Sequence, residues 1–224
     1  MTKECFMFIK QMQVGHLAVF AYLVGDTTTG DALVIDPADQ AHDILALAAK
    51  NNLRINYIVN THGHVDHIGG NAQMKKLTGA KIIIHADDAI MLSSTPASML
   101  RMFGASQSPP ADILAQDGQT ISVGNFGLKI IHTPGHSPGG ICLYTPGYVF
   151  TGDTLFVEAV GRTDLPGASW QTMYNSIKTK IFTLPDDTVV MPGHNYGRTP
   201  TSTIGHEKKY NPSSAERNCI SVIE

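Results

Sequence analysis

Apolar and β-branched residues recur along the chain in runs of strand length, and turn-forming residues separate them. Residues 18–24 and 32–35 flank a polar turn, which predicts a β-hairpin. Residues 141–144 and 148–151 flank a Pro-Gly pair in the same way and predict a second hairpin. Five other runs of this kind predict further strands: residues 6–9, 55–60, 81–85, 128–132 and 188–191.

Apolar residues with helical spacing follow several of these strands. Four helices are predicted in this way: residues 40–51, 72–77 and 170–182, and a segment from about Thr201 to before Asn211. Residues 87–116 are rich in Met, Ser and Pro, and we expect short helices and a flexible excursion near the mouth of the site. Its methionines are expected to fill a small local core, with the lining of an apolar substrate path as the alternative. Two rounds of strands followed by helices predict an α/β protein with two packed sheets and helices outside. We expect one domain over residues 1–224, with a loosely held tail from about residue 213.

Three histidines and an aspartate stand within residues 62–67, directly after a predicted strand. Imidazole nitrogens and carboxylate oxygens bind zinc, iron and manganese, so this density indicates a metal site. His62 and His64 are two apart on an extended backbone and therefore point the same way. Asp66 and His67 fall where the chain bends into a helix, so they can face a second metal. Three more candidate ligands follow other predicted strands: His136, Asp153 and His194.

Composition narrows the class of protein. The 224 residues carry a formal net charge of −3, which disfavours binding of nucleic acid through a broad basic face. No apolar run approaches the length of a membrane span, and the N-terminus lacks the apolar core of a secretory signal. The three cysteines are unpatterned, so we expect no disulfide framework. These features predict a cytoplasmic protein that acts on a small molecule, with neither nucleic acid nor membrane as partner.

The run HGHVDH at residues 62–67 resembles the signature of the metallo-β-lactamase-fold hydrolase superfamily. Four later motifs resemble motifs of that family in the same order: TPGHSPG at 133–139, TGDTLF at 151–156, GRTD at 161–164 and PGH at 192–194. The GRTD motif is similar to one in the glyoxalase-II-like and persulfide-dioxygenase branches. The resemblance implies a four-layered αββα sandwich of two mixed β-sheets, and by analogy with the family a possible homo-oligomer.

The resemblance also implies seven ligands around two divalent metal ions, with zinc favoured and iron or manganese as alternatives. The ligands are His62, His64 and His136 for the first position, Asp66, His67 and His194 for the second, and Asp153 as a bridge between them.

Five side chains have expected roles at or beyond the ligands. Asp66 would orient the nucleophile or take its proton. Asp164 is expected to hold a ligand histidine and Arg162 to fix the loop or Asp153, although a plain ion pair between the two explains them equally well. Tyr196 and Arg198 are candidates to contact the substrate, with a solvated surface as the alternative.

The resemblance leaves two reactions open. The first is hydrolysis of a thioester, such as a hydroxyacyl-glutathione, by a hydroxide that bridges two metal ions. We expect no room for the C-terminal helical domain that carries much of the glutathione binding in full-length glyoxalase II. The second is oxidation of a persulfide by one iron(II), held by the two-histidine, one-carboxylate set His62, His136 and Asp153. Retention of all seven ligands favours two metals, and therefore the hydrolase.

Overall fold

The computed structural model describes residues 7–214, and two six-stranded mixed β-sheets form its centre. The strands of the first sheet lie side by side in chain order: β1 (Met7–Val14), β2 (Val19–Asp26), β3 (Asp31–Ile35), β4 (Arg54–Val59), β5 (Lys81–His85) and β6 (Ile113–Ala115). Strands β1, β2 and β3 pair antiparallel, and the strands from β3 to β6 pair parallel. The predicted hairpin of β2 and β3 is confirmed, with Tyr22 opposite Ile35.

The second sheet is built from later parts of the chain. In chain order the remaining strands are β7 (Thr120–Val123), β8 (Phe126–His132), β9 (Ile141–Thr145), β10 (Tyr148–Gly152), β11 (Leu155–Phe156), β12 (Ala159–Val160), β13 (Val189–Pro192) and β14 (Ser202–Thr203). The second sheet has the spatial order β14, β13, β10, β9, β8, β7, whereas β11 and β12 form a separate two-stranded ribbon. Strands β10 and β13 pair parallel, and the predicted hairpin of β9 and β10 is confirmed.

Seven α-helices connect and cover the sheets. They are α1 (Ala41–Lys50), α2 (Val65–Ile68), α3 (Asn71–Thr78), α4 (Met91–Ser94), α5 (Ala97–Phe103), α6 (Trp170–Ser176) and α7 (Ile204–Tyr210) within the described residues. Helix α3 ends at Gly79, whose φ of 71° is the left-handed conformation that terminates many helices. The predicted helix at 170–182 divides at Ile177, where α6 gives way to a π-helical turn, Ile177–Ile181.

The side chains of each strand alternate between two layers of core. In β2, Phe20, Tyr22 and Val24 pack between the two sheets, whereas Ala21 and Leu23 pack on the outer side. The outer face of the first sheet is covered by α1 and α3, and that of the second sheet by α6 and α7. This order of layers confirms the αββα sandwich.

Within residues 7–214 the structure adds three strands that the sequence patterns do not predict: β11, β12 and β14. Each has two residues, too few for an alternation of apolar and polar positions to stand out. Strands β6 and β7 lie on either side of Asp117-Gly118, a pair typical of a tight turn between strands. Most of the tail expected from about residue 213 lies outside the described residues. No helix within residues 7–214 has the length and apolarity needed to cross a membrane.

Candidate metal centre

The predicted ligands lie in segments that follow β4, β8, β10 and β13, strands of both sheets, and these segments meet at one end of the sandwich. Asp66 and His67 lie in the short helix α2, and the other ligands lie on loops. Main-chain hydrogen bonds join these segments to one another. The Ile141 N–H donates to the carbonyl oxygen of Thr61, and the Gly193 N–H donates to that of Gly152, both at 2.8 Å. Rigid strands therefore hold the ligand loops at a common centre.

Six of the seven predicted ligands form two compact groups. Within each group the ligand atoms lie within 4.8 Å of one another: His62, His64 and His136 in the first group, and Asp66, His67 and His194 in the second. Asp153 lies between the groups, because its carboxylate oxygens are 3.4 Å from the Nε2 atoms of His67, His136 and His194. The structure thus brings together the ligand set that the resemblance implies.

Hydrogen bonds on the outer ring nitrogens fix how the histidines face the centre. Nδ1 of His136 is 2.8 Å from the carbonyl oxygen of Arg162, and Nδ1 of His194 is 2.8 Å from that of Leu17. A carbonyl oxygen only accepts, so each Nδ1 carries the proton and donates it. In the neutral form of each ring, Nε2 therefore holds the lone pair and faces the centre, which is the arrangement of histidines that bind metals.

Asp36 orients two more ligands from beneath the centre. Its carboxylate is 1% exposed and accepts hydrogen bonds from the Thr61 N–H, the Thr61 hydroxyl and the Nδ1 of His67, at 2.8, 2.6 and 3.0 Å. Since the Thr61 hydroxyl donates to Asp36, its oxygen accepts from Nδ1 of His62 at 3.1 Å. The sequence patterns mark Asp36 only as the end of a strand, because the nearest hydrogen-bond partner of its carboxylate in the sequence, Thr61, is 25 residues away.

Two buried atoms of the centre have no hydrogen-bond partner within the described structure: Nε2 of His62 and Oδ1 of Asp153. Buried polar atoms without partners are costly, and both of these face the place where the two groups of ligands meet. A metal ion would satisfy both atoms. Nitrogen and carboxylate donors of this kind suit zinc, iron or manganese, so the residues present fit a metal cofactor.

The electrostatics of the two groups differ. Burial lowers the pKa of His62 well below its ordinary range and, with help from neighbouring histidines, lowers the pKa of His64 to about 4. Burial also lowers the pKa of His67 and His194, but nearby carboxylates, Asp153 first, outweigh it and raise these pKa values to about 9 and about 10. The first group therefore offers neutral nitrogens, and the second holds negative charge that a cation neutralises.

Asp88 joins the two loops that carry the first group of ligands. It is fully buried, and its carboxylate accepts hydrogen bonds from the Gly63 N–H at 2.9 Å, the Ser137 hydroxyl at 2.7 Å and the Gly139 N–H at 2.6 Å. These donors flank His62 and His136. The sequence signal for Asp88 is only its position shortly after a buried strand.

The remaining predicted residues lie at the rim. Arg162 donates from two nitrogens to Asp164, each at 2.9 Å, so Asp164 pairs with this exposed guanidinium rather than with a ligand histidine. Only the main-chain oxygen of Arg162 contacts a ligand, as described above. The ring of Tyr196 stacks on His194 with 4.5 Å between centroids. Arg198 is exposed and is not among the residues that line the cleft above the centre.

That cleft has a volume of about 630 Å³, and ligands of both groups form part of its lining. Met91 and Met99 also line it, so these two methionines follow the alternative of lining an apolar path and not the favoured expectation of a small local core. Helix α5 has no buried residue at all. Apolar spacing alone does not distinguish a helix face that meets a core from one that meets a cleft.

Comparisons with known proteins agree with this geometry. A sequence profile of the metallo-beta-lactamase superfamily matches residues 14–194. The human mitochondrial persulfide dioxygenase ETHE1 is 34% identical over 209 residues, 92% of this chain and 75% of that protein. The BLEG-1 B3 metallo-beta-lactamase superposes with a TM-score of 0.82 at 31% identity, over 92% of this chain and 98% of that one. TTHA1623 in a di-iron-bound form superposes with a TM-score of 0.80 at 34% identity, over 91% of this chain and 98% of that one. This chain is therefore a metalloenzyme of the metallo-beta-lactamase superfamily, in its glyoxalase-II-like and persulfide-dioxygenase-like branch.

Proposed function

We propose that the protein is a hydrolase with two metal ions that cleaves a thioester. The observation that carries this proposal is the second group of ligands, which is as compact as the first. His194 supports it most directly, because its hydrogen bond to Leu17 aims its Nε2 at Asp66 and His67. The di-iron-bound form of TTHA1623, matched over 98% of that chain, supports two metals in a chain of this kind. Zinc is the favoured metal, with iron or manganese as alternatives.

Two divalent ions held by these residues would lower the pKa of a bound water toward neutrality and polarise the substrate carbonyl. The side chain of Asp66 is 17% exposed and lines the cleft beside the second group of ligands. Burial raises the pKa of Asp66, but His67 and His194 outweigh this and hold the pKa well below its usual range. Asp66 is thus an ionised acceptor that orients the attacking water. The water oxygen forms a C–O bond to the carbonyl carbon, and its proton passes to the Asp66 carboxylate and then to solvent. The C–S bond breaks and its electron pair leaves on a thiolate, which requires no general acid.

A second candidate function is persulfide oxidation with one iron. The observation that favours it is the 34% identity to human persulfide dioxygenase over 92% of this chain. In this case His62, His136 and Asp153 would hold the iron, and the open cleft above them would admit oxygen and the sulfur substrate.

Metal content and oxygen dependence separate the two candidates. Protein purified without oxygen or chelator is expected to hold about two metals per chain and to cleave a thioester without oxygen. Replacing His194 by Gln should lower cleavage by about 100-fold, whereas His42→Gln on the exposed side of α1 should change nothing. About one iron per chain, with oxygen uptake on glutathione persulfide that survives H194Q, would establish the dioxygenase instead.

A further inference from the structure

The cleft above the metal centre has mostly apolar walls. Part of the lining comes from α4 and α5 and part from the ribbon β11–β12 and the loop that follows it. Its large apolar side chains include Met91, Met99, Phe103, Phe156, Val160 and Leu165. Aromatic and flexible thioether side chains of this kind adapt to an apolar ligand and release ordered water when it binds.

The lining offers almost no free positive charge beyond the metal centre. Apart from the histidines, Arg162 is the one cationic side chain among the described residues of the cleft. Two of its nitrogens already donate to Asp164 at 2.9 Å, so its charge is paired. A glutathione carrier brings two carboxylates, and against these walls they would lose water without gaining a free cation.

We infer that the cleft binds a thioester whose organic groups are uncharged and apolar, of the size of a medium-chain acyl or aryl group, and that it disfavours an anionic carrier such as glutathione. The inference rests on the proposed thioester hydrolysis for the bond that is cleaved. A fully enclosed methylene strengthens binding about 4-fold. Four methylenes that are half enclosed in an open cleft should therefore raise kcat/KM about 15-fold.

Paired substrates test the inference on the metal-loaded protein. Hexanoyl-N-acetylcysteamine should be cleaved about 15-fold faster, in kcat/KM, than acetyl-N-acetylcysteamine. It should also be cleaved about 10-fold faster than hexanoyl-glutathione, which carries the same acyl group on an anionic thiol. Equal or faster cleavage of hexanoyl-glutathione overturns the inference while leaving thioester hydrolysis intact.

A matched pair of variants on α5 tests whether the preference for hexanoyl over acetyl substrates arises in the cleft. Met99 lines the cleft and is 42% exposed, whereas Met102 on the same helix is 78% exposed and lies outside the lining. Met99→Glu should reduce the preference for hexanoyl over acetyl by about 10-fold, and Met102→Glu should preserve it. Both sites are exposed enough for each variant to fold, which circular dichroism checks. An unchanged preference in M99E overturns the assignment of the cleft.

A binding measurement keeps the inference testable even if no thioester is cleaved. Hexyl 2-hydroxyethyl thioether is uncharged and has no scissile bond, and S-hexylglutathione carries the same hexyl group on the anionic tripeptide. Calorimetric titration should show at least about 5-fold tighter binding of the uncharged thioether. Loss of all thioester cleavage with this preference retained would refute the proposed function alone. Tighter binding of S-hexylglutathione would refute the inference.

Discussion

Replacing Asp36 by Asn tests how the protein prepares its histidines for metal. The carboxylate accepts three hydrogen bonds, two from Thr61 and one from Nδ1 of His67, at 2.6 to 3.0 Å. An amide has the same shape but only one acceptor oxygen. If that oxygen keeps the Thr61 N–H, the new NH₂ group faces Nδ1 of His67. The ring must then move its proton to Nε2 or turn away, and in both cases it ceases to be a ligand.

The expected loss of metal affinity in D36N differs between the two metal positions. Removing the hydrogen-bond partner of a metal-binding histidine costs about 10- to 100-fold in affinity. The second position should lose about 100-fold, because His67 contacts Asp36 directly. The first position should lose about 10-fold, because His62 depends on Asp36 only through the Thr61 hydroxyl. The metal-free protein should also lose about 2 kcal/mol of unfolding free energy, since a buried donor is left without an acceptor.

Cobalt(II) titration followed by the visible absorption of the metal measures the two affinities, and urea unfolding measures the stability of the metal-free protein. Asp43→Asn, on the exposed side of α1, is the matched control and should alter neither quantity. Binding of a second cobalt ion to D36N with the affinity of the unmodified protein would refute the reasoning about the His67 tautomer.

Further predictions concern a buried aspartate, two glycines, metal removal and pH. Asp88→Asn places an amide against three donors and should lower the unfolding free energy of the metal-free protein by about 2 kcal/mol, measured in urea. Gly161→Ala would put a Cβ 1.9 Å from the main-chain oxygen of Asp153 and should abolish tight metal binding in calorimetric titrations. Gly79→Ala, with φ 71° but nothing within 4 Å, should cost only about 1 kcal/mol in thermal melts. Chelation should lower Tm in scanning calorimetry, and zinc at a hundred times its Kd should return about 2.7 kcal/mol. Because carboxylates raise the pKa of His67 and His194 to about 9 and about 10 against the effect of burial, zinc binding at pH 7 should release at least one proton. The apparent affinity should therefore rise with pH, and titration in two buffers of different ionisation enthalpy measures the release.

The sequence predicts the ligand loops well because their signals are local. Residues 62–67 place four candidate ligands within one short run, and His136 and His194 each follow a Pro-Gly pair directly after a strand. The apolar runs at 18–24 and 32–35 on either side of a polar turn likewise predict the hairpin of β2 and β3. Each of these signals needs only a few neighbouring residues.

Asp36 and Asp88 escape such reasoning because their partners are distant in sequence. Asp88 contacts Gly63, 25 residues before it, and Ser137, 49 residues after it. Nothing in a single sequence distinguishes either aspartate from one that merely ends a strand or caps a turn. The sequence fails to show which side of α5 Met99 faces for another reason. A short apolar helix has the same residue pattern whether it packs on a core or lines a cleft.

The hydrogen bonds of Asp36 also determine which ligand, when replaced, gives the better test of whether one or two metals bind. Asp36 serves His67 directly and His62 through Thr61, so an enzyme with one metal would still need His67 to keep this network intact. Retention of His67 is therefore weak support for a second ion. His194 is different, because the carbonyl oxygen of Leu17 holds it independently and it approaches the first position only through Asp153. Replacing His194 should therefore impair activity strongly only if a second metal binds. For this reason H194Q is a sharper test of the dinuclear proposal than a replacement of His67.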